Sequence, residues 1–262
     1  MSDSALHLSR LDLITLLERQ ILSGSMPPGA PLPSERQLAE RFAISRNVVR
    51  EALRSLAERR LIRIEVGRGA FVREPDPTAA ASMLAISLRG RHVTARHVIN
   101  ARRLIEVDAA RQSAEHHTDV DVVRIRDAVE ALRPTDALLD QVRADLRFHL
   151  AIARASHNPL LEAIFGAMSS MAAELMLRSL SDHDVAREGI PQHAKILGAI
   201  ENGNPTAAAR HMNAHLDVAL TMYGSDLDES LNVVAERRMH DAFGPDRSLD
   251  DLFSAALGGE VE

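Results

Sequence analysis

The segment from Leu32 to Val72, LPSERQLAERFAISRNVVREALRSLAERRLIRIEVGRGAFV, constrains the fold more than any other part of the chain. Ser34 is placed to cap a short helix, with Gln37 three residues on to complete a capping box, and Leu38, Ala39 and Phe42 share one face. Ala43 and Ile44 make a turn. Ser45 caps a second helix in which Val49, Ala52, Leu53 and Leu56 face inward while Arg46, Asn47, Arg50 and Arg54 face outward. Leu61, Ile62, Ile64 and Val66 then read as a strand, Gly67-Arg68-Gly69 as its turn, and Ala70, Phe71 and Val72 as the return strand. The order is helix, tight turn, helix and two-stranded wing.

That order has a chemical meaning. A second helix with Arg on its N-terminal outer face suits the major groove, because the guanidinium fork fits guanine O6 and N7 and also grips phosphate. Gly67 and Gly69 permit close approach to a phosphate backbone, and Arg68 makes the wing tip positive. Any one of these Arg residues alone is ordinarily a solvated charge; the combination predicts a DNA-reading head. Upstream, Ser9 with Asp12 opens a helix carrying Leu13, Ile14, Leu17 and Ile21, and Ser23-Gly24-Ser25-Met26-Pro27-Pro28-Gly29 stops it.

The stretch MPPGAPLPSERQLAERFAISRNVVREALRSLAERRLI resembles the winged helix-turn-helix of the GntR family of bacterial transcription regulators. In FadR-type members the DNA contacts fall on the Arg of the LPSER element, on the polar residue and Arg that open the recognition helix, on an Arg one turn later and on the wing glycine. The resemblance therefore implies Arg36, Ser45, Arg46, Arg50 and Gly67 as contacts, beside Asn47 and Arg68 from the residue pattern.

Charge divides the chain unevenly. Residues 1–75 carry net +3 and residues 76–262 net −9, which makes the overall −6, so nonspecific attraction to DNA is confined to one end. With 45% hydrophobic residues the chain has material for sizeable cores, and Cys 0 excludes disulfides, thiolate metal sites and Cys nucleophiles. Aromatic content of 3%, with no Trp, argues against RNA or single-strand binding by base stacking. No signal-peptide pattern opens the chain, and the most apolar run, Ala163 to Leu177, is interrupted by Ser169, Ser170 and Glu174. The expectation is a bacterial cytoplasmic, nucleoid-associated protein with no membrane partner.

The prolines at Arg73-Glu74-Pro75-Asp76-Pro77 mark a boundary. The expected domains are 1–75, the winged head; 76–92, a linker and connecting helix; 93–224, an all-α bundle; and 225–262, a tail of unknown role, more frayed than functional. Beyond the wing the periodicity predicts helices over Thr78–Leu88, Thr94–His116, Asp119–Leu132, Asp136–Ala155, Pro159–Leu180, Asp184–Glu201 and Pro205–Tyr223, so the fold class is mainly α. In the tail, Ser248 and Asp251 are spaced to cap a short helix ending at Gly258-Gly259.

Within the bundle, Asp145 and His149 are one turn apart in ADLRFHLAIARASHNPLL and leave the same face; His193 opens a later helix and His215 lies on the last long one. Three imidazoles and one carboxylate suit a borderline divalent ion, Zn first and Ni, Co or Mn as alternatives. Spacing leaves the pair His211 and His215 as a competitor, and any His among 12 is ordinarily surface or satisfied core. The region from Val93 to Tyr223 also resembles the FCD effector-binding domain of FadR-type regulators, through ARRLIEVDAARQSAE, ADLRFHLAIARASHNPLL and HAKILGAIENGNPTAAARHMNAHL. In metal-binding members the ligands fall at positions equivalent to Asp145, His149, His193 and His215, and the Arg equivalent to Arg102 faces the cavity near the metal. By spacing alone Arg102 would be an i, i+4 ion pair with Glu106, and Arg103, about 100° round the helix, solvated. Arg178, Ser169 and Asn213 are weaker candidates for the cavity.

The resemblance implies a homodimeric regulator, usually a repressor, that reads inverted-repeat operator DNA and responds to a small carboxylic acid bound at the metal. A metal-dependent enzyme fused to a DNA-binding module and a sensor of the metal itself are the competing classes; no HExxH helix and no P-loop favours the enzyme.

Overall fold

A computed structural model describes residues 9–73, 83–84, 86–88, 91–132 and 137–257. The chain divides into two compact units, Met1–Asp76 and Pro77–Glu262. Of the linker and connecting helix expected over 76–92, residues 76–82, 85 and 89–90 lie outside the described residues, and with them most of the helix expected over Thr78–Leu88; residues 133–136 and the glycines at 258–259 lie outside them as well.

The first unit contains α1 (Arg10–Leu22), α2 (Glu35–Phe42), α3 (Arg46–Glu58), β1 (Ile62–Glu65) and β2 (Gly69–Val72). Ser9 and Ser34 each form a full capping box, with Asp12 and Gln37, and Ser45 accepts from the Val48 amide. Ala43 ends α2 in the left-handed region at φ 51°, the conformation that lets a short turn redirect the chain into α3. The strands pair antiparallel, Ile62 opposite Val72 and Glu65 opposite Gly69, and Ala30 to Leu32 adds backbone hydrogen bonds to the far side of β2. Leu13, Leu17, Leu38, Val49, Leu56, Ile62 and Val72 form one core drawn wholly from residues 13–72.

The second unit is helical among the described residues: α4 (Ala95–His116), α5 (Asp119–Ala131), α6 (Leu138–Ala155), α7 (Pro159–Ala167), α8 (Ser169–Leu180), α9 (His183–Glu201), α10 (Pro205–Met222), a 3-10 turn at Gly224–Leu227, α11 (Leu231–Phe243) and α12 (Leu249–Leu257). Thr94, Thr118, Asp182, Asn158 and Asn204 cap five of the starts, two of them with Pro at the first helical position. α4 lies chiefly against α10 and α6, α10 against α9, and α6 against α5 and α8.

Two expectations change. The single helix expected over Pro159–Leu180 is two, α7 and α8, bent by 65° at Met168. Gly166, Ser169 and Ser170 are weak helix formers around the break, and the bend lets Met168 and Leu175 join one hydrophobic cluster while Phe165 and Met176 join another. The tail is also built in rather than frayed. Met239 and Ala235 of α11 and Leu252 of α12 are buried against Val142, Ala173 and Leu177, and Ser248 caps α12 through Asp251. Among the described residues no single helix is long and apolar enough to cross a membrane; α7 and α8 pass only jointly, and Phe165 with most of α8 is buried in the core while Leu160 and Ile164 of α7 are exposed.

Candidate metal centre and nucleic-acid interface

α6 projects Asp145 and His149 inward one turn apart, α9 supplies His193 and α10 supplies His215. One ligand-type atom from each lies within 4.8 Å of all the others, and this quartet is the only such cluster among the described residues. His193 sits inside α9, two residues beyond Pro191, and not at a helix start as expected. Its Nδ1 lies 3.0 Å from the Ile190 carbonyl and its Nε2 2.9 Å from Asp145 Oδ1. The His149 ring stacks on His215 with centroids 5.2 Å apart, and Phe148 packs edge-on against both His149 and His193.

The quartet is crowded but poorly satisfied. Asp145 Oδ1, His193 Nε2 and His215 Nδ1 are buried without an aligned hydrogen-bond partner, although Asp145 Oδ1 is also 3.5 Å from His149 Nε2. These contacts are short enough for charge attraction but off the N–H axes. A cation shared by the four would satisfy atoms that the protein leaves facing one another, so the donor set fits a divalent ion.

Electrostatics prepare most of this set. Burial pushes the Asp145 carboxyl up, but the imidazoles of His193 and His149 outweigh it and hold the group well below its usual range. Burial, together with His193 and His149, pushes His215 well below its ordinary value, so it presents a lone pair. Burial also works against charge on His149, yet the Glu106 carboxylate draws its pKa up; a proton there competes with a cation for the ring.

Glu106 is the residue that sequence reasoning missed. It is 1% exposed, contacts His149 Nδ1 through Oε2 off the N–H axis, and accepts from Arg102 Nε at 2.5 Å and Nη2 at 3.3 Å. Burial would raise its pKa, but Arg102 and His149 bring it down to about 2. The signal was its spacing from Arg102, which by itself describes an exposed helix pair; only the packing of α6 and α10 on α4 buries it. Arg102, 4% exposed, also places Nη2 3.2 Å from His149 Nε2 and lines the cavity beside the quartet.

The weaker candidates lie elsewhere. Arg103 pairs with Asp217, to which Asn213 also donates, and Arg178 is buried between Asp226 and Asp182 with its guanidinium over the Tyr223 ring. Neither they nor Ser169 line the cavity. His211 stands outside the quartet.

In the first unit, Arg36, Ser45, Arg46, Asn47 and Arg50 are all exposed, on α2 and at the start of α3. Arg50 is held by a two-pronged pair with Glu35, Nε to Oε1 at 3.1 Å and Nη2 to Oε2 at 2.9 Å, so its guanidinium is fixed on the outer face. Arg36 pairs with Glu40 on the surface. At the wing tip Gly67 and Gly69 take φ of 76° and 110°, values that favour glycine, and Arg68 lies over the Phe71 ring while pairing with Glu65.

Comparison with known proteins follows the same division. Residues 10–72 match the family described as bacterial regulatory proteins, gntR family, and residues 97–218 match the FCD domain. The HTH-type transcriptional regulator LutR of Bacillus subtilis is 32% identical over 203 residues, covering 75% of this chain and 92% of its own. The galactonate operon transcriptional repressor of Escherichia coli is 32% identical over 227 residues, covering 83% of this chain and 95% of its own. A GntR protein of Streptococcus agalactiae shares the fold with a TM-score of 0.65 at 24% identity, over 80% of this chain and 97% of that one. The first two of these relatives are named as a transcriptional regulator and a transcriptional repressor. The chain belongs to the GntR family of bacterial regulatory proteins, as a DNA-binding transcriptional regulator whose winged helix-turn-helix precedes an FCD domain, consistent with the FadR subfamily.

Proposed function

We propose that this regulator is a repressor whose affinity for operator DNA is set by a small carboxylic acid bound beside a divalent ion. Asp145, His149, His193 and His215 are the ion's ligands and Arg102 is the acid's grip. The observation that carries this reading is the quartet within 4.8 Å, four of whose buried atoms, one from each residue, have no aligned hydrogen-bond partner, next to a buried Arg. Each unsatisfied buried group costs about 1–3 kcal/mol, so a common cation gives the arrangement its reason. Zn suits three imidazoles and a carboxylate best, with Ni, Co or Mn as alternatives.

When bound, the ion supplies open positions for oxygen atoms of the acid. The chain's own residues do the rest. Glu106 orients His149 and neutralises Arg102, which lines the cavity and is the group that receives a carboxylate. In the winged head, Arg46, Asn47 and Arg50 read base edges, while Arg36, Ser45, Gly67 and Arg68 hold phosphate. The protein acts as a homodimer, and two heads related by a two-fold axis read an inverted repeat.

The test combines elemental analysis with operator titration. Purified protein should hold about one divalent ion per chain, and His149→Ala or His193→Ala should lose most of it. Full occupancy in both variants would move the site, with His211 and His215 next to examine. A small acid should lower operator affinity of metal-loaded protein by about 5–150-fold, and operator should weaken acid binding by the same factor. Arg102→Lys is the variant to use for the grip, because it keeps a charge beside Glu106 and loses only the fork. If metal alone changes operator affinity and no acid does, the protein senses the metal itself.

A further inference from the structure

The cavity beside the quartet is polar at one end only. Arg102, Asp145, His193, His215 and the Ser179 hydroxyl are the charged or hydrogen-bonding side chains of its lining, and the walls are apolar, built largely by Ile99, Leu175, Met176, Leu180, Val185 and Leu216. Its enclosed space is small, about 40 Å³. The Ser179 hydroxyl is already in contact with the Tyr223 hydroxyl, and Tyr223 in turn donates to the Leu175 carbonyl at 2.9 Å. Among the described residues Arg102 is the only Lys or Arg in the lining, and beyond the quartet and Arg102 the only polar side chain is the engaged Ser179.

We infer that the effector is a short aliphatic 2-hydroxy monocarboxylic acid, an inference that rests on the acid-at-metal reading above. A carboxylate and a hydroxyl on the neighbouring carbon both fall at the polar end, where they chelate one ion while the carboxylate also meets Arg102. The rest of the molecule then lies against Leu175, Met176, Leu180 and Val185, where each buried methylene is favourable. A second carboxylate would be driven into those walls with no cation to meet it. The several hydroxyls of a sugar acid would be buried with no partner but the engaged Ser179, and a site discriminates strongly against groups it leaves unpaired.

Calorimetry on metal-loaded wild-type protein decides this with a graded series from 2-hydroxypropanoate to 2-hydroxyhexanoate, compared with malate and gluconate. The expected result is that 2-hydroxybutyrate binds at least about tenfold tighter than malate or gluconate, with each added methylene tightening binding about fourfold until the cavity is full. Val218→Thr, an isosteric change on the half-buried wall, should narrow the preference for 2-hydroxybutyrate over gluconate at an unchanged melting temperature. Malate or gluconate binding as tightly as 2-hydroxybutyrate overturns this inference and leaves the acid-at-metal reading standing. If no acid in the panel binds metal-loaded protein, both fall.

Discussion

Replacing Glu106 by Gln separates a surface ion pair from a buried one. On an exposed helix, an i, i+4 pair such as Arg102 and Glu106 contributes a few tenths of a kcal/mol, and losing it would shift melting by about 1 °C. Here the carboxylate is 1% exposed and touches both Arg102 and His149. Glu106→Gln keeps the shape and removes the charge, so Arg102 stays buried with its charge opposed only by the more distant Asp145. Breaking a buried pair from one side costs about 3–5 kcal/mol. The fall of the Glu106 pKa from 4.5 to about 2 gives an independent figure on the order of 3 kcal/mol. For a unit of this size, 1 kcal/mol corresponds to about 2–4 °C, so the second unit should melt roughly 10 °C lower in chelator-treated protein. Metal affinity should fall by about 10–100-fold as His149 loses its orienting carboxylate. The assay is thermal and urea unfolding with chelator, then titration with Zn. A melting shift under about 2 °C with unchanged Zn affinity would refute the argument that the packing of α4, α6 and α10 turns this pair into a structural support of the ligand set.

Arg46→Ala and Arg50→Ala should each weaken operator binding by roughly 1–3 kcal/mol at fixed salt while the dimer persists, and unchanged affinity in both would remove α3 as the reading helix. Glu174 titrates in the opposite sense to Glu106: burial, and then the nearby Glu236, push its pKa from 4.5 up to about 7. The fold therefore favours its neutral form, whose contribution is complete below about pH 4.5 and is lost as pH rises toward 7, at most about 3 kcal/mol. Glu174→Gln should raise the melting temperature at pH 8 and leave it unchanged at pH 4.5; a parallel shift at both pH values would show that Glu174 does not titrate in this way. Ala43→Gly should stabilise the winged head by about 1 kcal/mol, because Ala43 holds φ 51° at the turn where glycine has no side-chain clash; a loss of stability in urea unfolding would contradict this.

What was legible in the sequence was mostly local. Ser34 with Gln37, Ser45, the inward Val49 to Leu56 face and the Gly67 to Gly69 tip are signals within one or two turns, and α2, α3 and the wing follow them closely. The helical class of the second unit was legible through apolar periodicity, and the structure adds the caps Thr94, Thr118, Asn158 and Asn204 at helix starts. Spacing alone brought together only Asp145 and His149; adding His193 and His215 took the family resemblance, since α9 and α10 reach α6 only through tertiary packing. The break at Met168 was hidden because apolar periodicity continues across it while the burial partner changes. Glu106 was read as half of a surface pair because nothing in ARRLIE states that helices will cover it. The tail looked polar enough to fray, yet one stripe, Val234, Ala235, Met239 and Leu252, was sufficient to dock it.

The different make-up of the two cores has a consequence for how the polypeptide matures on the ribosome. The winged head draws its core only from residues 13–72, so it has every partner it needs early in synthesis. The cluster behind α6 and α8 includes Ala235, Met239 and Leu252, so that wall has no finished form until α11 and α12 have left the tunnel. At about 5–20 residues per second, the head is complete on the order of ten seconds or more before the helical unit. During that interval a nascent chain carries a competent DNA-reading head without its completed regulatory partner. Limited proteolysis of stalled nascent chains should find residues 10–72 protected while α6 and α8 are still cut, and simultaneous protection of both would show that the helical unit closes without its last two helices.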